Sequence, residues 1–232
     1  MPLEPSRADT PWRAAAQALP SLLDKSGARR PGVTIVLSNQ FVRYALLPWN
    51  GAIKRNAEWM ALARHRFSAI YGSAVDTWVI RVSSAGSEAP RIASAMDAEL
   101  LSALEKAVSS RATLVSVQPC LIATYNRLQA LIGRESRWLA VEEQERLTLG
   151  LLERGAWRAI RSRRRARASR ATLAEIIDRE SALLTLDQPC TRVALCTDAP
   201  RVEDSRGNYE VVDLTFTGRA APAERALAIA AE

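Results

Sequence analysis

Between residues 77 and 132 the chain alternates two kinds of apolar spacing, and this alternation constrains the fold more than any other feature. Residues 77–82 (TWVIRV) and 112–117 (ATLVSV) are short β-branched runs of the kind that suits a strand. Between and after them, apolar side chains recur three and four apart. Leu100, Leu101, Leu104 and Val108 share one helical face, and residues 120–132 continue the pattern. Asp97 stands where a helix cap is needed and Pro119 where a helix can open. Strand, helix, strand and helix in that order predict an α/β chain.

Neighbouring segments extend this reading. Residues 1–10 carry Pro2, Pro5 and charges without an apolar core, which predicts a loose tail and no secretory signal. Trp12, Ala16, Leu19 and Leu23 recur at helical spacing, with Pro20 expected to kink or interrupt the helix. Two β-rich runs, 33–37 and 41–47, flank Ser38, Asn39 and Gln40. They read as a hairpin with Asn39 in the left-handed turn position. Residues 58–71 form a helix with Trp59, Leu62, Ala63, Phe67 and Ile70 on one face, stopped by Gly72. Residues 91–95 read as a further short strand.

After Gly133 the pattern changes. Residues 137–141, 146–152 and 157–161 are three short strands in a meander, turning near Glu143 and at Gly155. A helix over 171–184 and strands over 193–196 and 211–216 complete it, and the Ala-rich segment 218–232 is expected to fray. The chain therefore divides into a first half, 11–133, built of a hairpin and a βαβα unit, and a second half, 134–217.

Composition narrows the function classes. The 232 residues are 48% hydrophobic and 25% charged, which is ordinary for a folded domain. No apolar stretch reaches the roughly 20 residues that cross a bilayer, so no transmembrane segment is expected. Cys120, Cys190 and Cys196 lack zinc-site spacing and are expected to be reduced thiols. His65 is the only histidine and sits between Arg64 and Arg66, leaving little for a nucleophile–base pair or a histidine-rich metal site. Neither GxxxxGK[ST] nor GxGxxG occurs. The residues build no catalytic site, and no cofactor is expected.

The formal net charge is +7, almost all of it from arginine. Arg158, Arg161, Arg163, Arg164, Arg165, Arg167 and Arg170 form the sharpest charge feature. They are expected at the exposed end of the third meander strand and in the loop after it. There they suit phosphate, acidic peptide or lipid headgroups, or simply a solvated surface. Glu142, Glu143 and Glu145 make an acidic turn, with no partners apparent in the sequence for a metal or general-acid cluster.

The order of these elements resembles the actin-like proteins of bacterial type IV pilus and type II secretion inner-membrane platforms: PilM, the cytoplasmic part of GspL, and MshI-type proteins. VTIVLSNQFVRYALLPW (33–49) looks like the family's strand–turn–strand closing at a proline. Residues 91–132 are similar to its strand–helix–strand–proline–helix unit, and 137–161 to the meander opening its second half. The resemblance covers about residues 12–195. It implies a degenerate actin-like (ribonuclease H-like) fold with mixed sheets flanked by helices. It also implies a cytoplasmic assembly factor that binds cytoplasmic segments of inner-membrane platform proteins, and an assembly ATPase besides.

The departures from the family pattern bear on nucleotide. ATP-binding relatives place a glycine in the meander's first turn, and here Glu142, Glu143 and Gln144 stand there. The stretch matching the family's later Gly-Gly loop, 193–200, has no glycine, and no phosphate hairpin precedes Trp12. The expectation is a pseudo-ATPase that is not an enzyme. Phe41, Arg43, Arg163, Arg164, Arg165 and Arg167 are the candidate partner-binding residues. The alternatives are a nucleotide-binding ATPase of the same fold and a nucleic-acid module using residues 158–170. The second ranks lower, because no aromatic stacking motif or recognition helix accompanies the arginines.

Overall fold

The computed structural model describes residues 11–84, 88–132, 135–164, 171–184, 186, 189–197 and 207–213. The two expected tails, 1–10 and 218–232, lie outside them, as do Arg165 and Arg167. The described residues form helices α1 (Pro11–Lys25), α2 (Asn56–Tyr71), α3 (Ala98–Ser109), α4 (Cys120–Ile132) and α5 (Leu173–Leu184). The strands are β1 (Gly32–Leu37), β2 (Arg43–Leu47), β3 (Trp78–Val82), β4 (Arg91–Asp97), β5 (Thr113–Pro119), β6 (Arg137–Glu143), β7 (Arg146–Glu153), β8 (Ala156–Arg164), β9 (Arg192–Thr197) and β10 (Glu210–Asp213).

Three sheets organise them. A five-stranded sheet runs β10–β9–β6–β7–β8. Its β6, β7 and β8 are the antiparallel meander, and β9 and β10 add to it in parallel. Residues up to 119 build a three-stranded antiparallel sheet, β2–β4–β3, and a parallel pair, β1–β5. The β7–β8 turn is tight because Arg154 (φ 52) and Gly155 (φ 80) both adopt the left-handed region, as a primed hairpin turn requires.

The large sheet is apolar on both faces because both are covered. Trp138 and Ala140 of β6, with Leu147, Leu149 and Leu151 of β7, pack against Ile176 and Ile177 of α5. On the opposite face, Leu139, Val141 and Trp157 meet Leu121 and Leu128 of α4 and Ile92 of β4. A Cβ on Gly150 would lie 2.2 Å from the Trp157 ring, so only glycine lets that ring lie flat over β7. From there it reaches Tyr125 of α4, centroid to centroid 4.8 Å.

The hairpin expected over 33–47 does not form. β1 pairs in parallel with β5, and β2 pairs antiparallel with β4 in a different sheet. Between them Asn39–Phe41 make a single 3-10 turn, capped by the Ser38 hydroxyl accepting the Gln40 N–H at 3.3 Å. Asn39 is not left-handed. A β-branched run such as VTIVL can form a strand with a distant partner as readily as with its neighbour in sequence, and a capped turn redirects the chain without primed-turn geometry. Pro20 does not interrupt α1, which continues through it to Lys25. Ile70 faces solvent at 69% exposure, while Trp59, Ala63 and Phe67 are buried.

Candidate docking groove and the junction between the halves

Phe41 and Arg43, the candidate partner-binding pair of the first half, meet in one groove of about 290 Å³. Trp12 of α1, Trp78 of β3, Met96 of β4 and Leu100 of α3 form its apolar wall, and Gln40, Arg43 and Asp97 supply polar edges. Its shape follows from the change of sheet at residues 38–41. The 3-10 turn sets Gln40 and Phe41 beside β4 and the start of α3, with Trp12 of α1 on the same groove. Trp78 is half-buried, set edge-on to Phe67 at 6.2 Å and tilted against Tyr71 at 5.0 Å. Asp97 has its own duty, capping α3 by accepting the Glu99 N–H at 2.7 Å.

Beside the groove lies a buried polar junction. Asn39 is fully buried, and its side-chain oxygen accepts the Tyr44 hydroxyl at 2.5 Å and the Leu121 N–H at the start of α4 at 3.0 Å. The Asn39 N–H donates to both carboxylate oxygens of Glu143, at 3.2 and 3.1 Å. Glu143 ends β6, so this contact joins the β1–β2 connection to the meander turn of the second half. Burial raises the Glu143 pKa above the ordinary carboxylate value, against the opposing pull of hydrogen bonds from Ser38 and Asn39. Burial also holds the Tyr44 phenol well above its usual range, with Cys120 and Glu143 adding to the effect.

The acidic turn therefore divides its work. Glu143 faces inward to Asn39, Glu145 pairs with Arg164, Glu142 is half-buried, and Gln144 is exposed. Sequence reasoning singled out this turn but missed Asn39 and Tyr44. An Asn between two apolar runs reads as a turn residue, and only the folded chain shows that Asn39 is fully buried.

The arginine run is placed differently from the expectation. β8 continues through Arg164, so Arg158, Arg161, Arg163 and Arg164 lie within a strand. Arg158 pairs with Glu153 at 3.7 Å, and Arg164 with Glu145 at 3.1 Å. Arg163 and Arg161 both pair with Glu180 of α5, at 2.7 and 3.5 Å. Glu180 is a buried carboxylate, and β8 supplies its countercharge. None of these four arginines lines the groove of Phe41 and Arg43. Among the described residues no group of three His, Cys, Asp or Glu side chains is arranged to hold a metal ion. No described helix is long and apolar enough to cross a membrane.

The topology, a three-strand meander with two parallel strands beside its first, is matched among solved structures. The cytoplasmic domain of EpsL, an inner membrane component of the type II secretion system of Vibrio cholerae, superposes with a TM-score of 0.57. The two share 15% identity, over 93% of this chain and 79% of that one. The fold is actin-like. The PilM–PilN type IV pilus biogenesis complex matches with a TM-score of 0.51 at 17% identity, over 81% of this chain and 58% of that one. No protein-family model and no curated protein sequence matches the chain. At these identities the likeness is one of fold. Within the actin-like frame, the Asn39–Glu143 contact sits where the first part of the chain meets the turn of the second part's meander.

Proposed function

We propose that this actin-like protein is a non-catalytic assembly factor of a type IV pilus or type II secretion inner-membrane platform. It acts by docking a short cytoplasmic segment of a platform protein. The observation that carries this reading is the groove, an apolar pocket with charged edges that places Phe41 and Arg43 together. Aromatic anchors in partly desolvated pockets concentrate binding energy. Two solved structures of this fold support the reading, one a type II secretion inner membrane component and the other the PilM–PilN type IV pilus biogenesis complex.

The pseudo-ATPase part of the proposal rests on the meander turn. Where a phosphate loop needs free backbone N–H groups, Glu142 and Glu143 bring carboxylates. Each such charge repels a phosphate charge 4 Å away by about 1 kcal/mol in water, and by more when desolvated. The nucleic-acid reading is weakened because Arg158, Arg161, Arg163 and Arg164 are each ion-paired within the chain.

The test is calorimetric titration of the protein with the cytoplasmic segments of platform proteins encoded beside its gene. One segment should bind, and Phe41→Asp should weaken it at least about tenfold, as loss of a hot-spot side chain does. If no segment binds, or if Phe41→Asp leaves binding unchanged, the reading fails. Magnesium-ATP should produce no thermal shift. A ligand at 100 times its Kd stabilises by about 2.7 kcal/mol, so a clear shift would restore the ATPase alternative.

A further inference from the structure

The β1–β5 pair is the smallest of the three sheets, and each of its strands has a partner on one side only. The Pro31 carbonyl accepts the Thr113 N–H at 2.9 Å, so residue 31 faces β5. Backbone groups alternate sides along a parallel ladder. Those of Val33, Ile35 and Leu37 therefore face β5, and those of Gly32, Thr34 and Val36 face the open edge. Gly32 is exposed, and Thr34 and Val36 are only half-buried.

An open strand edge is a template for another strand, and folded proteins blunt such edges with charge, proline or a bulge. The other edges of this molecule follow that rule. β2 carries Arg43, β3 carries Arg81, β10 carries Glu210 and Asp213, and β8 carries its four arginines. β5 is bulged: its register with β1 steps from Leu114 to Ser116, and Val115 is left over, 67% exposed. β1, GVTIVL, has no charge, no proline and no bulge of its own.

The second half shows what such an edge holds when it is filled. α1 packs on Ile35 and Leu37 of β1 as α5 packs on Val193 and Leu195 of β9. Each of the two strands has a parallel neighbour, β5 or β10. β9 has β6 on its other side, also in parallel, and its Val193, Ala194 and Leu195 are buried. The β6 residues that pair with it, Trp138, Leu139, Ala140 and Val141, are all apolar.

We propose that the open edge of β1 receives a strand from a partner protein: an extended, apolar segment running parallel to β1, with an acidic residue at its N-terminal end. Main-chain hydrogen bonds to Thr34 and Val36 supply the affinity, and side chains of the added strand supply the selectivity. Charge complementarity sets the acidic residue. Lys25, Arg29 and Arg30 are exposed where the chain enters β1, and Asp24 beside them already holds Arg111 at 2.7 Å. A second copy of the chain would bring a further net charge of +7 against them. This interface is separate from the groove, which no residue of β1 lines.

Amide hydrogen exchange of the full chain, followed by NMR, is the first arm of the test. Val33, Ile35 and Leu37 should be protected, while Thr34 and Val36 should exchange at least about tenfold faster. Equal protection would mean that the edge is already covered, and would overturn the proposal. The second arm pans a phage-displayed library of random peptides against the protein. Selected peptides should carry an acidic residue before an apolar run and should slow exchange at Thr34 and Val36. They should lose affinity about tenfold or more on Val36→Pro, which removes one outward N–H and leaves the β5 ladder intact. Arg29→Glu combined with Arg30→Glu should weaken them too, whereas the groove variant Phe41→Asp should not. If Val36→Pro perturbs the fold, the exchange readout decides without any substitution. Peptides that leave Thr34 and Val36 exchanging freely, or a library that yields none, overturn the proposal. A dimer in sedimentation that protects the same two amides would replace the partner with a second copy.

Discussion

Asn39 is an uncharged side chain on which three parts of the molecule converge. Its oxygen accepts from Tyr44 of β2 and from the first turn of α4, while its backbone N–H is held by Glu143 of β6. Asn39→Ala would leave a buried hydroxyl and a buried amide without their acceptor, each costing about 1–3 kcal/mol. The expected loss is about 2–4 kcal/mol by urea denaturation, whereas Tyr44→Phe, which removes only a donor, should cost about 1 kcal/mol. Glu143 makes a pH-dependent prediction. Its folded pKa is raised, chiefly by burial, so the folded state binds the proton more tightly than the unfolded chain. Its contribution is therefore most favourable below the ordinary carboxylate range and is lost as pH rises through the raised folded value. Glu143→Gln, neutral throughout, should gain stability relative to the parent at neutral pH, and that advantage should shrink as pH falls toward 4. An advantage that grows in acid would show that the carboxylate is stabilised by its hydrogen bonds more than it is penalised by burial.

At the scale of elements, β8 shows how an arginine-rich strand is tied to its own fold. Arg163 and Arg161 meet the buried Glu180 carboxylate of α5, whereas the side chain of Arg164 is 78% exposed and pairs with an exposed Glu145. Arg163→Gln leaves Glu180, among the described residues, with only the longer Arg161 pair and should cost on the order of 1–3 kcal/mol, since a buried carboxylate that loses a partner keeps its desolvation penalty. Arg164→Gln should stay within about 0.5 kcal/mol. Equal effects from the two substitutions, measured by thermal or chemical denaturation, would mean that Glu180 is hydrated. The sequence showed the run of arginines but not which of them face α5. That depends on β8 continuing three residues past its expected end, and strand ends are set by pairing with β7.

For the whole molecule, one apolar cluster joins residues from both halves. Ile92, Leu121 and Leu128 pack with Leu139, Val141, Trp157 and Ala194. A shared core of this kind couples the halves, so urea unfolding followed by tryptophan fluorescence and by far-ultraviolet circular dichroism should give coincident single transitions. Two separated transitions would show that the halves fold independently.

The α/β class, the helices and the meander were legible because each is local. Apolar spacing, Asp97 as a cap, and Gly155 at a tight turn all act through neighbours in sequence. The run 33–47 was legible as two strands but not as strands of different sheets, because its hydrogen-bond partners lie more than 40 residues away in β4 and β5. The same holds for the site. Phe41 and Arg43 could be singled out from the sequence, while Trp12, Trp78 and Leu100 joined them only through packing. Local propensity determines which segments become helix or strand. Which apolar face finds which partner, and which charge finds which countercharge, is decided by the tertiary structure, since burial and electrostatics act through space between residues the sequence keeps far apart.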